Sequence, residues 1–340
     1  MAKRRPSLLW PCHIHPKEDE LLSSWIVRLA HEQQMKVQTF SEEIFGRDRQ
    51  IWNRDVDRLA PRWVVVKLRV RTGTTLADAF RTSLRAYRTK LYRKHRDSGV
   101  EQWMLPLEMW HRKHRGFGLQ FCPACLSEGD VPYFRKRWRV AFYTVCAKHR
   151  CMVHDRCPKC GSPVAYHRLD VGELGSMDYP LSICHHCRFD LRQSPVVPPV
   201  VYDESSYKTM EGALRMLEGE ALPKYYIGFF DVLHQLCRIM TSTAGHIRLR
   251  QFVLEKMGIE DIPLQSGRVA IEERSLEERH HLVQLGMWLM ADPERIFEAW
   301  QAKAVRYNVL GKDFRSEPKW YREILARCED WRKNNPVFQL

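Results

Sequence analysis

Apolar residues recur at helical spacing along much of this chain, and the residues flanking those runs supply starts and stops. Residues 19 to 34 read as an amphipathic helix. Leu21, Leu22, Trp25, Ile26, Leu29 and Ala30 fall on one face, and Asp19 is a candidate N-cap. A shorter periodic stretch, Thr39 to Phe45, stops at Gly46, a natural C-cap. Thr75-Leu-Ala-Asp78 is a capping-box pattern that predicts a third helix with Leu76, Phe80, Leu84, Tyr87 and Leu91 buried. Farther on, Ile227 to Met240 is strongly apolar, Ser275-Leu-Glu-Glu278 is a second capping box, and Leu282 to Met290 supplies a core face. Asp292-Pro293-Glu294 then starts another helix, a cap followed by proline at the first turn, with Ile296, Phe297 and Trp300 inward.

The cysteines break this helical pattern. Eight of the eleven lie between positions 122 and 187. Seven of these, with one histidine, fall in pairs two residues apart: Cys122-Pro-Ala-Cys125, Cys146-Ala-Lys-His149, Cys157-Pro-Lys-Cys160 and Cys184-His-His-Cys187. That spacing lets one tight turn aim both side chains at a single ion. Pro123 and Pro158 favour the turn, and Gly161 tolerates its unusual dihedrals. Loops of 20 and 23 residues separate the halves of each site, close to zinc-ribbon spacing. Two structural zinc sites are therefore expected, one on Cys122, Cys125, Cys146 and His149, the other on Cys157, Cys160, Cys184 and Cys187. Cys151 and His154 lie between the sites, and either could replace an assigned ligand. His185 and His186 read as spacers, and Cys237 and Cys328 as core residues in helical patterns.

The fold class that follows is mainly α. A helical N-terminal domain (1–117) with helix-turn-helix character precedes a tandem zinc module (118–193) and a helical C-terminal domain (194–340). Ser194-Pro-Val-Val-Pro-Pro199 is a rigid linker by composition. In both helical regions a plain bundle gives the same pattern as a helix-turn-helix.

Composition adds a partner. The chain has 340 residues, 44% hydrophobic and 28% charged, with a net charge of +14, which favours a polyanion. The charge is localised. Ten Lys/Arg against three Asp/Glu lie between Arg81 and Arg115, and six against none between Phe134 and Arg150. The candidate nucleic-acid contacts are Arg81, Arg85, Arg88 and Arg93 on the third helix, then Arg112, Lys113 and Arg115. The third group is Arg135, Lys136, Arg137 and Arg139, with Trp138 and Phe142 packed and the basic residues outward. No run approaches the length of a membrane span, and Leu8-Leu9-Trp10 is too short for a signal-peptide core, so a cytoplasmic protein with reduced thiols is expected. No phosphate-binding glycine loop, HExxH or nucleophile elbow occurs, which argues against an enzyme. A nuclease with carboxylates gathered only in space, or a zinc-containing transcription regulator, are the competing readings.

The assembled motifs resemble the TniQ/TnsD family of transposition proteins. The resemblance is carried by Pro16 and Glu18-Asp-Glu-Leu-Leu-Ser-Ser-Trp-Ile-Val-Arg-Leu-Ala30, Asp55-Val-Asp57, Gly118-Leu-Gln-Phe-Cys-Pro-Ala-Cys-Leu126, Pro132-Tyr-Phe-Arg135 and Trp138-Arg-Val. It spans about residues 16 to 192, and the zinc ligands follow in the family's order. The resemblance implies a bacterial, non-catalytic target-selection factor connecting a DNA site to an AAA+ ATPase regulator. Longer members read an attachment site directly; shorter ones ride on an RNA-guided CRISPR effector complex and often pair as homodimers. The moderate length of this chain favours the second mode.

Overall fold

The structure, a computed structural model, describes residues 8–48, 50–171, 179–218, 228–312, 314 and 317–328. It is mainly helical and divides into two compact units, Met1–Pro199 and Val200–Leu340. The break coincides with the proline-rich end of the linker. No described helix is long and apolar enough to cross a membrane.

The first unit opens with α1 (Leu22–Glu32), α2 (Val37–Phe45), α3 (Val56–Leu59), α4 (Arg62–Thr72) and α5 (Leu76–Arg81). Helix α1 is buried from Leu22 to Ala30 and includes Trp25 at 0% exposure. Gly46 ends α2 with φ at 93°, as expected from its sequence position. Two expectations are corrected, and one helix is added. Asp19 does not cap α1, whose N-cap is Leu21 with no side-chain bond; instead the Asp19 carboxylate turns to Arg137 and Lys136. The third helix is shorter than the periodicity suggests. Thr75 does accept from the Asp78 amide, but the α-helix stops at Arg81 and Leu84–Tyr87 continues as a 3-10 turn. Helix α4 has no counterpart in the sequence reading, because its Val64-Val-Val66 core is β-branched and its ends, Pro61 and Gly73, lack a side-chain cap.

Family-type motif residues interlock in this unit. Glu20 accepts from Arg28 at 2.6 Å and from the Ser24 hydroxyl at 2.8 Å, both on α1. Asp57 on α3 accepts from the Ser23 amide and hydroxyl, at 2.7 and 2.8 Å. Arg139, fully buried, reaches Asp55 at 2.6 Å and Asp57 at 3.3 Å. Burial, partly offset by Arg139, pushes the Asp57 carboxyl up to about 6. Removing one partner of such a buried set leaves a charge without compensation, at a cost of about 3–5 kcal/mol. The segment 118–126 starts with Gly118, where an added Cβ would lie 2.2 Å from the Pro106 carbonyl oxygen, so only glycine fits that approach.

Two small antiparallel ladders complete the unit. β1 (Met109–Trp110) pairs with β2 (Lys113–His114), and β3 (Val145–Cys146) pairs with β4 (Cys151–Met152). Between them lies a single turn, α6 (Pro123–Leu126).

The second unit is a bundle of α7 (Glu204–Glu218), α8 (Phe229–Met240), α9 (Leu249–Met257), α10 (Leu276–Ala291), α11 (Glu294–Gln301), α12 (Tyr307–Leu310) and α13 (Lys319–Arg327). The predicted apolar run Ile227–Met240 becomes α8; Ile227 itself lies outside the described residues. Ser275 and Glu278 form the expected capping box. Helix α10 is the hub: Glu278 through Met290 are all buried. Gly286 lets α8 approach, since a Cβ there would lie 2.8 Å from Leu233 and 3.1 Å from the Cys237 sulfur. Helix α10 is buried on every side, and α11 follows it with Glu294 and Glu298 exposed. Cys237 and Cys328 are core residues, 0% and 3% exposed.

Candidate metal centres

Each half-site is built by a local turn. Cys122 stands at the N-cap of α6 with Pro123 at its first position, and its sulfur accepts from the Cys125 amide at 3.4 Å. The other three halves share one design, in which the residue after the second ligand adopts positive φ and its amide returns to the first ligand's carbonyl. Arg150 (φ 49°) bonds Cys146, Gly161 (φ 70°) bonds Cys157, and Arg188 (φ 63°) bonds Cys184, at 2.8, 2.8 and 3.0 Å. The left-handed residue expected at Gly161 is thus a general requirement of the turn, met twice by arginine.

The eight expected residues come together in two groups of four, each with its ligand atoms within 4.8 Å of one another. In the first, the His149 Nδ1 lies 3.5, 3.2 and 3.6 Å from the sulfurs of Cys122, Cys125 and Cys146, and Cys125 and Cys146 are 3.6 Å apart. In the second, Cys157 and Cys187 are 3.6 Å apart and Cys160 and Cys184 3.7 Å. A tetrahedron with metal–sulfur bonds of about 2.3 Å and metal–nitrogen bonds of about 2.05 Å has edges of about 3.8 and 3.6 Å. The donor sets therefore fit a tetrahedral, thiolate-preferring ion, which would hold the folds of residues 122–149 and 157–187. Among the described residues no third such group of histidine, cysteine or carboxylate side chains forms.

The thiols of the first group are tightly coupled. Hydrogen bonds shared with Cys125 and Cys146 push Cys122 up, while those from Cys122 and Cys125 push Cys146 down. Behind the ligands, the His149 Nε2 meets Glu128 Oε1 at 3.0 Å, a carboxylate–histidine pair that fixes which ring nitrogen faces the sulfurs. Burial raises Glu128, but Lys148, His149 and Arg135 outweigh it and hold the carboxyl below its ordinary range. This orienting carboxylate has no sequence signal of its own, lying in a loop 21 residues from His149.

Cys151 and His154, the two alternative ligands, occupy different positions. Cys151 pairs with Cys146 across β3 and β4 and lies 3.6 Å from the Cys122 sulfur, against one edge of the first group but outside it. Its thiol is raised by burial. His154 stacks on Phe121 and meets the Pro195 carbonyl at 2.8 Å through Nε2, which turns it to the linker.

The basic candidates separate into two kinds. Arg135 binds Glu128 at 3.2 Å, Lys136 and Arg137 bind Asp19 at 3.5 and 2.6 Å, and Arg139 is fully buried. The expectation that these four point outward is corrected, because Glu128, Asp19, Asp55 and Asp57 draw them in; Trp138 and Phe142 are packed as expected. Arg81 pairs with Asp78 at 2.8 Å on an exposed surface, Arg85 is half-buried, and Arg88 and Arg93 are exposed. Arg112, Lys113 and Arg115 are exposed on and beside the β1–β2 hairpin.

No curated protein matches this chain. Residues 11–153, which hold the interlocked N-terminal motifs and the whole first metal group, match the family model TniQ. Residues 11–153 therefore form a TniQ domain within the chain.

Proposed function

We propose that this protein is a zinc-stabilised, non-catalytic target-selection adaptor in DNA transposition. It links target DNA, or an RNA-guided effector complex, to an AAA+ regulator that recruits the transposase. The observation that carries the reading is the TniQ domain over residues 11–153, since that family suggests transposition machinery. The donor geometry supports zinc, and protein side chains supply all four donors in each group, the arrangement of structural rather than catalytic sites. Localised charge supports a nucleic-acid neighbour; within it, recruitment by a guided complex is preferred to direct reading of an attachment site, and pairing as a homodimer accompanies that mode.

The test is reconstitution. Purified protein is expected to carry zinc at both groups by elemental analysis and to retain the AAA+ ATPase of its own element on an affinity column. A protein that retains neither the ATPase nor target DNA, alone or with the effector complex, overturns the adaptor reading. Specific retardation of one chromosomal site without RNA selects direct reading instead.

A further inference from the structure

The hairpin of β1 and β2 turns through two residues, His111 and Arg112. A turn this tight between antiparallel strands takes positive φ at both central positions, and Asn-Gly is its usual filling. Here φ is 44° at His111 and 64° at Arg112, so two large side chains sit in backbone geometry that disfavours them. Strain held in place by its surroundings points to a function at that position.

The surroundings do hold it. The His167 Nε2 meets the Arg112 carbonyl oxygen at 2.9 Å and the Arg168 guanidinium donates to it at 3.4 Å. From the hairpin, the His114 Nδ1 meets the Val164 carbonyl at 2.7 Å, and Trp52 stacks flat on His167 at 4.9 Å. The base is therefore fixed while the tip faces solvent. Trp110 is 55% exposed, the only tryptophan among the exposed large apolar side chains of the described residues. The Arg115 guanidinium lies 5.1 Å from its ring centre. From 108 to 115 the one carboxylate, Glu108, stands against Arg112, Lys113 and Arg115. Cations continue behind the tip. Arg168, already disfavoured by burial, is depressed further by Arg112.

The geometry points to this hairpin as a contact for nucleic acid with an unpaired base, Arg112, Lys113 and Arg115 holding backbone phosphates while Trp110 stacks on the base. The inference deepens the function proposed above and rests on its nucleic-acid side. Cations on a rigid tip attract phosphates, and a solvent-facing indole gives a base a stacking surface that sequence does not restrict. A lipid surface fits less well, because residues 111–115 are all basic or histidine and bring no second apolar side chain to the tip.

The experiment uses the metal-loaded full chain and fluorescence anisotropy of a short mixed-sequence DNA strand, its RNA counterpart and a blunt duplex. Trp110→Ala is expected to weaken single-strand binding about 5- to 100-fold with little change for the duplex, and Trp110→Phe to keep most of the affinity. Arg112→Glu with Lys113→Glu should weaken both and lower the salt slope by about one to two. Replacing His111-Arg112 by Asn-Gly should raise the melting temperature and lower affinity, separating folding from binding. Unchanged single-strand affinity in Trp110→Ala, or equal losses in the Ala and Phe variants, overturns the stacking. Vesicles of phosphatidylglycerol and phosphatidylcholine bound through Trp110, with no oligonucleotide bound, replace it by a lipid contact. If no oligonucleotide binds but the ATPase is retained, the hairpin inference fails and the adaptor reading stands; if the single strand binds through Trp110 but neither the ATPase nor target DNA is retained, alone or with the effector complex, the adaptor reading alone fails.

Discussion

The two metal groups have nearly the same local turns and very different surroundings. The first lies within the TniQ domain, its three cysteines are buried, and a carboxylate orients its histidine. The 134–142 segment within its loop bonds the residues that lead into α1: the Leu21 amide donates to the Phe134 carbonyl at 2.8 Å, and the Lys136 amide to the Asp19 carbonyl at 2.7 Å. The second lies beyond the matched residues, is four-cysteine, and leaves Cys160 and Cys187 half-exposed. Both loops reach the N-terminal helices, since Tyr166 within the second meets the Ser23 hydroxyl and His167 stacks on Trp52. What distinguishes them is the ligand set, the exposure of the second group's Cys160 and Cys187, and the carboxylate behind His149.

The largest test of that contrast removes one ligand at a time. Structural zinc contributes on the order of 10 kcal/mol or more, comparable to the whole stability of a domain. Cys122→Ser is expected to lose the first ion and unfold the first unit, with the near-ultraviolet signal of buried Trp25, Trp103 and Trp138 lost. Cys160→Ser should lose only the second ion and keep that signal. If both variants lose both ions, the two groups are one cooperative unit and the contrast is wrong.

A smaller effect sharpens it. Glu128→Gln removes the charge behind His149 without touching a sulfur. Chelator competition should show the first ion held about 10- to 100-fold more weakly and the second unchanged. Equal weakening at both would mean the mutation acts through general stability.

The smallest effect is in pH. His114 is pushed down to about 3 by burial, against the ordinary 6.5, so the unfolded chain binds its proton first. The stability it contributes is present above about 6.5 and lost as pH falls from there toward 3. Asp57, raised to about 6 by burial, works the other way, favouring the fold below about 4 and losing that contribution as pH rises through 6. His114→Asn keeps a hydrogen-bonding side chain but cannot titrate. Denaturant melts should show a shallower loss of stability between pH 6.5 and 4 than in the native chain. An unchanged slope would mean that His114 is protonated in the folded state.

Much of this molecule was legible along the chain. The paired ligands, the N-cap at Thr75, the capping box at Ser275, the stop at Gly46 and the buried Cys237 follow from rules acting over about five residues, and each forms as the sequence indicates. Helix α4 was not legible, because a β-branched run whose start lacks a side-chain cap carries little local helical signal; it is held by packing of Val64, Val65 and Leu68. Nor was the direction of Arg135, Lys136, Arg137 and Arg139. A run of aromatic and basic residues reads alike whether its cations meet solvent or carboxylates, and the carboxylates here lie 118 residues away for Asp19 and 84 for Asp55.

The sequence by itself determined which side chains could bind metal, where helices α5 and α10 begin, and the family model that residues 11–153 match. Those properties depend on spacing along a chain of fixed geometry. The tertiary structure alone decided which cations remain at the surface, which carboxylate orients His149, and that His111 and Arg112 turn a strained hairpin beside an exposed tryptophan. Each of these is a balance of burial and pairing between distant segments, and that balance exists only once the chain has folded.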